Sequence, residues 1–522
     1  MRRIVFFQII LFLSVIQPAI CQQNPEINKM ANISQQLRNL KHSDPHRPIY
    51  HFLCPDGYGQ PFDPNGGIYW NGKYHLGYIY QTDRNGKWEH VWGHAVTTDL
   101  LHWTIYPDML NVKEGDIEKG IFSGGAFLSR DSIPYIIYHG QGSNSNLIAY
   151  SLDKDLEGWT KSPNNPVLQT PTVKDSMCGK YIAWDPEAWY DKESDTYYQI
   201  SGGKPASFFK SKDMKIWQYL GDFINPANRK NNSFEDVSCP DFFKIGKKNV
   251  LVFISHYLGA QYYIGTFTNE KFNVEKYGRM NWPGGTFFAP EQLVDNKGRN
   301  ILWGWVIERK PPHLKDFGWS GILSLPRVLT LSKENDLLIN PPKEIEKIRI
   351  NERKEANIIL KPNTEKRLTS NGSSMEIKME IKGGVTSPFG LKVFCSPDNK
   401  EETVIKYDPT TEELIVDFKK SSIHAPVEFL KYCIMYYPPN ENKDGVVSEQ
   451  KVPFRLKPNE KLILDVFIDK SIIEVFLNGR QCVTQVVYPE LKESTGICVF
   501  SGSEPMQIKN IQTWEMSATN PY

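Results

Sequence analysis

A weak internal repeat constrains this chain more than any other feature of it. Ala95-Val-Thr97-Thr-Asp99 leads to Trp103, Ala149-Tyr-Ser151-Leu-Asp153 leads to Trp159, and Ser211-Lys-Asp213 leads to Trp217. The three aspartates recur at roughly 55–60 residues, longer than the common propeller repeats but compatible with a four-stranded blade carrying long loops. Each copy reads as a strand ending in a turn, with Trp opening the next strand. Strand pairs lie between the copies, 134–139 with 147–152 and 196–201 with 206–210. The repeat predicts a β-propeller over residues 45–340.

Composition agrees with an all-β chain. Aromatic residues make up 12% of the 522, and aromatic and β-branched residues fill the recognisable segments. Lys and Arg (61) balance Asp and Glu (60), so no strong field draws in nucleic acid or an anionic membrane. Arg2 and Arg3 precede an apolar run ending in Ala19-Ile20-Cys21, the pattern of a secretory signal peptide over residues 1–21. The run is too short for a comfortable membrane span, and the expected localisation is extracellular. Sequons stand at Asn32, Asn231 and Asn371. Residues 22–45 are polar and read as a loose lead-in. The cysteines match no zinc spacing, and the four late ones are candidates for disulfides within the C-terminal region.

Near 341–356 the texture turns charged and proline-rich, which reads as an inter-domain linker. Alternating strands follow, such as 375–381, 463–468 and 472–477, the last meeting Asn478-Gly479. Short strands at this spacing predict a β-sandwich over residues 350–517.

Chemistry is concentrated in carboxylates at strand ends. Asp63 sits in Pro-Phe-Asp-Pro-Asn-Gly-Gly, just before two apolar runs joined by Asn71-Gly72, a strong type I′ hairpin signal. Pro64 is expected to push Asp63 towards an extended conformation. Asp185 lies in the same Asp-Pro arrangement, and Glu235-Asp236 precede another apolar run. Separate blades bring such groups to one end of a central channel. Two carboxyl groups about 5–5.5 Å apart are what retaining glycoside hydrolysis needs. No phosphate loop, dinucleotide fingerprint or metalloprotease helix is present.

From about Arg47 to Pro489 these motifs, in order, resemble glycoside hydrolase family 32, the invertases and fructan hydrolases. Asp63-Pro-Asn-Gly66 is similar to its nucleophile motif and Phe122-Ser-Gly-Gly-Ala126 to its aromatic-Ser-Gly turn. Asp185-Pro186 matches half of its Arg-Asp-Pro motif, and Glu235 with Cys239-Pro240 resembles a stretched Glu-Cys motif. Trp303-Gly-Trp305, Ser324-Leu-Pro-Arg327 and the segment Phe467 to Gly479, with Asp469 and Glu474, complete the series. The resemblance implies a five-bladed propeller followed by a sandwich. It implies hydrolysis of terminal β-D-fructofuranosides such as sucrose, inulin or levan, without cofactor or metal. In the roles it carries over, Asp63 is the nucleophile, Asp185 the transition-state stabiliser and Glu235 the acid/base. Asn65, Gln81, Trp92, Phe122, Ser123, Asp236 and Trp305 fall at expected sugar-contacting positions.

Three departures stand out. Phe62 replaces an Asn before the nucleophile, Ile79 a Gln (with Gln81 two residues on), and Trp184 the Arg before the stabiliser. The separation of Glu235 from Cys239 leaves Asp236 and a differently gapped alignment open as alternatives. The departures keep a fructosyltransferase, another glycosidase and a non-catalytic sugar-binding homologue in view.

Overall fold

The three repeated aspartates each close the same turn. Asp99 accepts backbone N–H groups of Leu101 and His102, Asp153 those of Asp155, Glu157 and Gly158, and Asp213 those of Lys215 and Ile216. Two residues earlier, Thr97, Ser151 and Ser211 present a hydroxyl oxygen to the aspartate's own N–H. A hydroxyl followed by Asp satisfies a tight turn's backbone donors, which is why the repeat survives in sequence. In each case the turn joins the third and fourth strands of one antiparallel sheet.

The protein, seen here as a computed structural model, is described over residues 25–520 except 58, 85, 433–437 and 443. The expected signal peptide and Cys433 lie outside the described residues. Five antiparallel sheets follow one another in sequence, over 59–110, 120–169, 186–222, 238–279 and 287–340. Their first strands are Gly59–Trp70, Gly120–Leu128, Pro186–Asp191, Ser238–Ile245 and Phe287–Val294. Each of these lies against the first strand of the next sheet, and the fifth lies back against the first. Both hairpin signals hold, with Asn71 and Gly72 at φ 47° and 83° and Asn478 and Gly479 at 47° and 62°. Two six-stranded antiparallel sheets follow, the C-terminal sandwich.

Two expectations are corrected. The polar lead-in contains an 18-residue helix, Pro25–His42, started by Pro25 with Glu26 in its first turn. Met30, Ile33, Leu37 and Leu40 keep helical spacing along it and are exposed. The helix belongs to one compact unit, and the described residues from Pro45 onward form the other. The charged stretch at 341–356 read as a linker has regular structure: Lys343–Ile348 is a 3-10 turn and Arg349–Leu360 an edge strand paired with Met506–Met516. An edge strand with one open face carries charges for the same reason that a linker does. No disulfide is formed among the described cysteines. Among the sequons, Asn32 and Asn371 are exposed, whereas Asn231 is buried and bonded to Tyr263 Oη at 2.6 Å.

Sheets and sandwich share buried polar and apolar contacts. Asp469, on the strand Leu462–Asp469, accepts the N–H groups of Ile49, Tyr50 and His51, all at 2.9 Å. Glu474 accepts Leu325 N–H at 2.7 Å and Arg327 Nη2 at 2.8 Å. His51 lies between the two carboxylates, with Nδ1 3.0 Å from Asp469 and Nε2 3.5 Å from Glu474. All four side chains are buried. Phe467, Phe476 and Trp514 pack in one cluster with Phe287, Leu302 and Leu329.

Breaking a buried pair leaves an unpaired charge, a cost of about 3–5 kcal/mol. Glu474→Gln should lose about that much in urea unfolding. Asp336→Asn, at the exposed pair with Lys276, should lose less than about 1 kcal/mol. Burial alone would lower the His51 pKa, but its bonds to Asp469 and Glu474 outweigh that and raise it to about 9. A raised folded-state pKa stabilises fully below the ordinary value of 6.5 and is lost as pH rises towards 9. Stability should therefore fall by about 3 kcal/mol across that window, and His51→Gln should flatten the fall.

Candidate active site

A β-bulge makes the site possible. The first strand of the first sheet slips register between Phe62 and Pro64, and Asp63 sits at φ 27° rather than in the extended conformation expected from Pro64. The same slip occurs in the fourth sheet between Ser238 and Asp241, with Cys239 at φ 43°, and in the fifth between Phe288 and Glu291, with Ala289 at φ 40°. A bulge re-aims one side chain across the strand, and non-glycine residues pay strain for positive φ only where the surroundings hold them. For Asp63 that hold includes Asn65, whose Nδ2 donates to the Asp63 carbonyl at 2.6 Å and whose Oδ1 accepts Gly124 N–H at 2.9 Å. Asn65 is thus tied to backbone on both sides, and it positions Asp63.

Asp63, 8% exposed, accepts a hydrogen bond from Ser123 Oγ at 3.1 Å. The Cys239 thiol lies 3.8 Å from Asp63 Oδ2 and 3.6 Å from Asp185 Oδ2, and Cys239 N–H donates to Asp185 at 3.2 Å. Four sheets therefore deliver Asp63, Ser123, Asp185 and Cys239 to one point. Burial and then the charge of Asp185 push Asp63 up to about 7, with Ser123 opposing. Burial also raises Asp185, against His139 and His256.

Asp236 and Glu235 part company. Asp236 accepts His256 N–H at 3.0 Å, bonds His256 Nδ1 at 2.5 Å and accepts Ser238 Oγ at 2.8 Å. Burial would raise the Asp236 carboxyl, but the His256 bond and charge hold it low. His256 is raised: burial opposes this, but Asp236, then Asp185 and Asp63, favour its charged form. Asp236, Ser238, His256, Trp184 and Tyr257 line a cavity of about 280 Å³. Glu235 is fully buried and turned away into the fourth sheet, accepting Asn232 N–H at 2.9 Å and Gln261 Nε2 at 2.5 Å. It is absent from that cavity's lining.

Aromatic rings make a continuous chain beside these carboxylates. His256 meets Phe288 (6.5 Å between centroids), Phe288 meets Trp305 (6.1 Å), and Trp305 meets Phe62 (5.9 Å). Phe62 meets His90 (5.8 Å), His90 Phe122 (4.8 Å), Phe122 His139 (6.1 Å) and His139 Trp184 (4.9 Å). Trp184 Nε1 donates to Ser238 Oγ at 3.0 Å, which closes the circuit through Asp236 to His256. In four sheets an aromatic residue precedes the inward position: Phe62-Asp63, Phe122-Ser123, Trp184-Asp185 and Phe288-Ala289. The fourth sheet has Ser238-Cys239 instead. Trp305 Nε1 is buried with no hydrogen-bond partner.

Besides Asn65, two more of the expected sugar-contacting residues have polar groups spent on other protein atoms. Trp92 is wholly buried, lies against Gly66 and donates to the Phe122 carbonyl, so it supports the turn from beneath. Gln81 bonds His90, which bonds Gln141. His256, Ser238 and His139 escaped the sequence reading; a His one residue past an apolar run was the only signal for the first. Gly66 has φ 58°, and an added Cβ would stand 2.8 Å from Trp92 Cζ3. Gly66→Ala should therefore cost at least about 1 kcal/mol in thermal unfolding, a Tm drop of about 1 °C or more. An unchanged Tm would mean that the turn is slack.

The comparisons with known proteins give the family. The profile of the Glycosyl hydrolases family 32 N-terminal domain matches residues 51–342, and that of the family's C-terminal domain matches 344–515. A levanase of Bacillus subtilis is 28% identical over 517 residues, covering 90% of this chain and 70% of the relative. A cell wall beta-fructofuranosidase of Pisum sativum is 28% identical over 546 residues, covering 88% and 92%. The crystal structure of fructan 1-exohydrolase IIa from Cichorium intybus superposes with a TM-score of 0.75 at 24% identity, covering 91% and 98%, a likeness of fold. An N-terminal propeller and a C-terminal sandwich fit that family, and the two profiles together span most of the chain: it belongs to glycoside hydrolase family 32.

Proposed function

We propose that this chain is a secreted, retaining hydrolase of terminal β-D-fructofuranosides, sucrose or fructans, working from a five-bladed propeller (45–340) braced by a sandwich (350–517). The observation that carries the reading is the meeting of Asp63 and Asp185 at the Cys239 thiol, inside a run of aromatic rings. Five sheets whose first strands follow one another round and return support the blade count. The levanase and the cell wall enzyme among its relatives support the substrate class and the extracellular location.

In this mechanism Asp63 attacks the anomeric C2, an Asp63–C2 bond forms, and the bond from C2 to the leaving oxygen breaks. That oxygen takes a proton from the Asp236–His256 pair. Water then gives its proton back to the pair and its oxygen to C2, releasing fructose and free Asp63. Asp185 accepts hydrogen bonds from sugar hydroxyls, which strengthen as positive charge develops on the ring. His256, charged beside ionised Asp236, takes the proton-transfer role expected of Glu235, because Glu235 is spent on Asn232 and Gln261. The family's Glu precedes its Cys; here that residue is Ser238, which donates to Asp236. Phe62 and Trp184, two of the departures, join the aromatic run, so ring faces supply recognition that the usual Asn and Arg would supply by hydrogen bonds.

Asp63→Ala should abolish fructose release from sucrose, inulin and levan. Asp236→Asn should lower kcat by about 10²–10⁴-fold, while Glu235→Gln should leave kcat within a few-fold and lower Tm. The reverse ranking would return the acid/base role to Glu235. Attack requires ionised Asp63, so activity should rise with pH through about 7. It should fall where His256 loses its proton, above the ordinary histidine value, and Asp236→Asn should move that descending limb to lower pH. Measured sugar binding without any product release would favour a binding homologue, the reading that Trp184 in place of Arg supports.

A further inference from the structure

We propose that His313, His424 and Glu490 form a binding site for one borderline divalent transition metal, with zinc as the natural occupant. The three residues come from separate segments: the loop after the strand Asn300–Val306, the loop after Glu413–Asp417, and the turn after Gln481–Val486. Their donor atoms converge within 4.8 Å of one another. Glu490 Oε1 lies 3.2 Å from His313 Nε2 and 2.7 Å from His424 Nδ1. The two imidazole centroids are 4.3 Å apart.

Burial does not explain this convergence, since the histidine side chains are 42% and 57% exposed. The scaffold around them is fixed. Glu490 N–H and Leu491 N–H both bond Glu401, at 2.9 and 3.0 Å, and His424 N–H bonds Ser422 Oγ at 3.0 Å. Pro311-Pro312 precede His313, and Pro426 stands two residues after His424, which restricts both backbones. Holding the loops in place in advance reduces the ordering cost of ligation. A cavity of about 520 Å³ adjoins both histidines and leaves room for water on the ion. The neighbouring cations point elsewhere: Arg309 donates to the Tyr432 carbonyl at 2.8 Å, and Lys310 lies over the Phe317 and Trp319 rings.

Two imidazoles and one carboxylate suit Zn²⁺, Cu²⁺ or Ni²⁺, and not Ca²⁺ or Mg²⁺, which prefer all-oxygen sets. The metal would replace the protons now shared between the rings and Glu490. It would tie a loop of the propeller region to two segments of the sandwich, and this role is independent of the hydrolytic reading.

The test uses the full chain, stripped with a chelator and titrated with Zn²⁺ by calorimetry, with Co²⁺ as a spectroscopic probe. One equivalent should bind with a Kd in the micromolar range or below, and excess zinc should raise Tm by several degrees. His313→Ala and His424→Ala should each weaken binding at least about 10-fold and remove the Tm gain. Without metal their Tm should match the parent, because both side chains are exposed. Zinc binding unchanged in the double variant, or no binding below millimolar concentration, would overturn the proposal. Binding of Ca²⁺ as tight as that of Zn²⁺ would overturn the choice of metal.

Discussion

The two carboxylates of one sandwich hairpin, Asp469 and Glu474, carry the organisation of the molecule. Asp469 gathers the three successive N–H groups of residues 49–51, where the chain enters the first sheet. Glu474 holds Leu325 and Arg327, at the start of the strand Arg327–Leu331 within the fifth sheet. These two segments are themselves joined, with Cys54 N–H on the Gly321 carbonyl at 2.9 Å and Leu323 N–H on that of Phe52 at 3.1 Å. The segment that leads into the first sheet is therefore tied to the fifth sheet by backbone bonds and held by buried charge. His51 and Arg327 compensate that charge from opposite sides, so neither carboxylate is left unpaired in the dry interior. This is a physical reason for the sandwich to accompany the sheets.

The packing of first strand against first strand matters to the site because its groups come from different sheets. The Cys239 thiol touches carboxylates carried by the first and third, so a small shift between these sheets would part them. Bulges make the convergence local: each slips one strand by a residue and turns one side chain inward, without disturbing the ladder beyond it. The strain of positive φ at Asp63 and Cys239 is a cost that a closed, buried setting can sustain.

The repeat was legible because it is made by local chemistry. A hydroxyl and an aspartate two residues apart satisfy a turn whatever lies around them, so Thr97-Asp99, Ser151-Asp153 and Ser211-Asp213 announced strand ends in the sequence itself. Asn71-Gly72 and Asn478-Gly479 were readable for the same reason. The helix Pro25–His42 was obscured because its apolar residues are few and set in polar surroundings. The edge strand Arg349–Leu360 was obscured because its open face has the charge of a linker. At the site, Asp63, Asp185 and Ser123 could be picked out by motif. The division between Glu235 and Asp236 could not, since adjacent residues on a loop differ only in the direction they face.

The sequence by itself determined the strand-rich composition, the turns, the family and the carboxylates near strand ends, because each depends on a few consecutive residues. Tertiary structure alone decided which side chains share a point in space. It turned Asp63 by a bulge, buried Trp92 beneath Gly66, linked rings from separate sheets and paired Asp236 with His256. Those outcomes depend on strand register and on contacts between residues far apart in the chain, such as Asp63 with Cys239. No stretch of sequence contains that information locally.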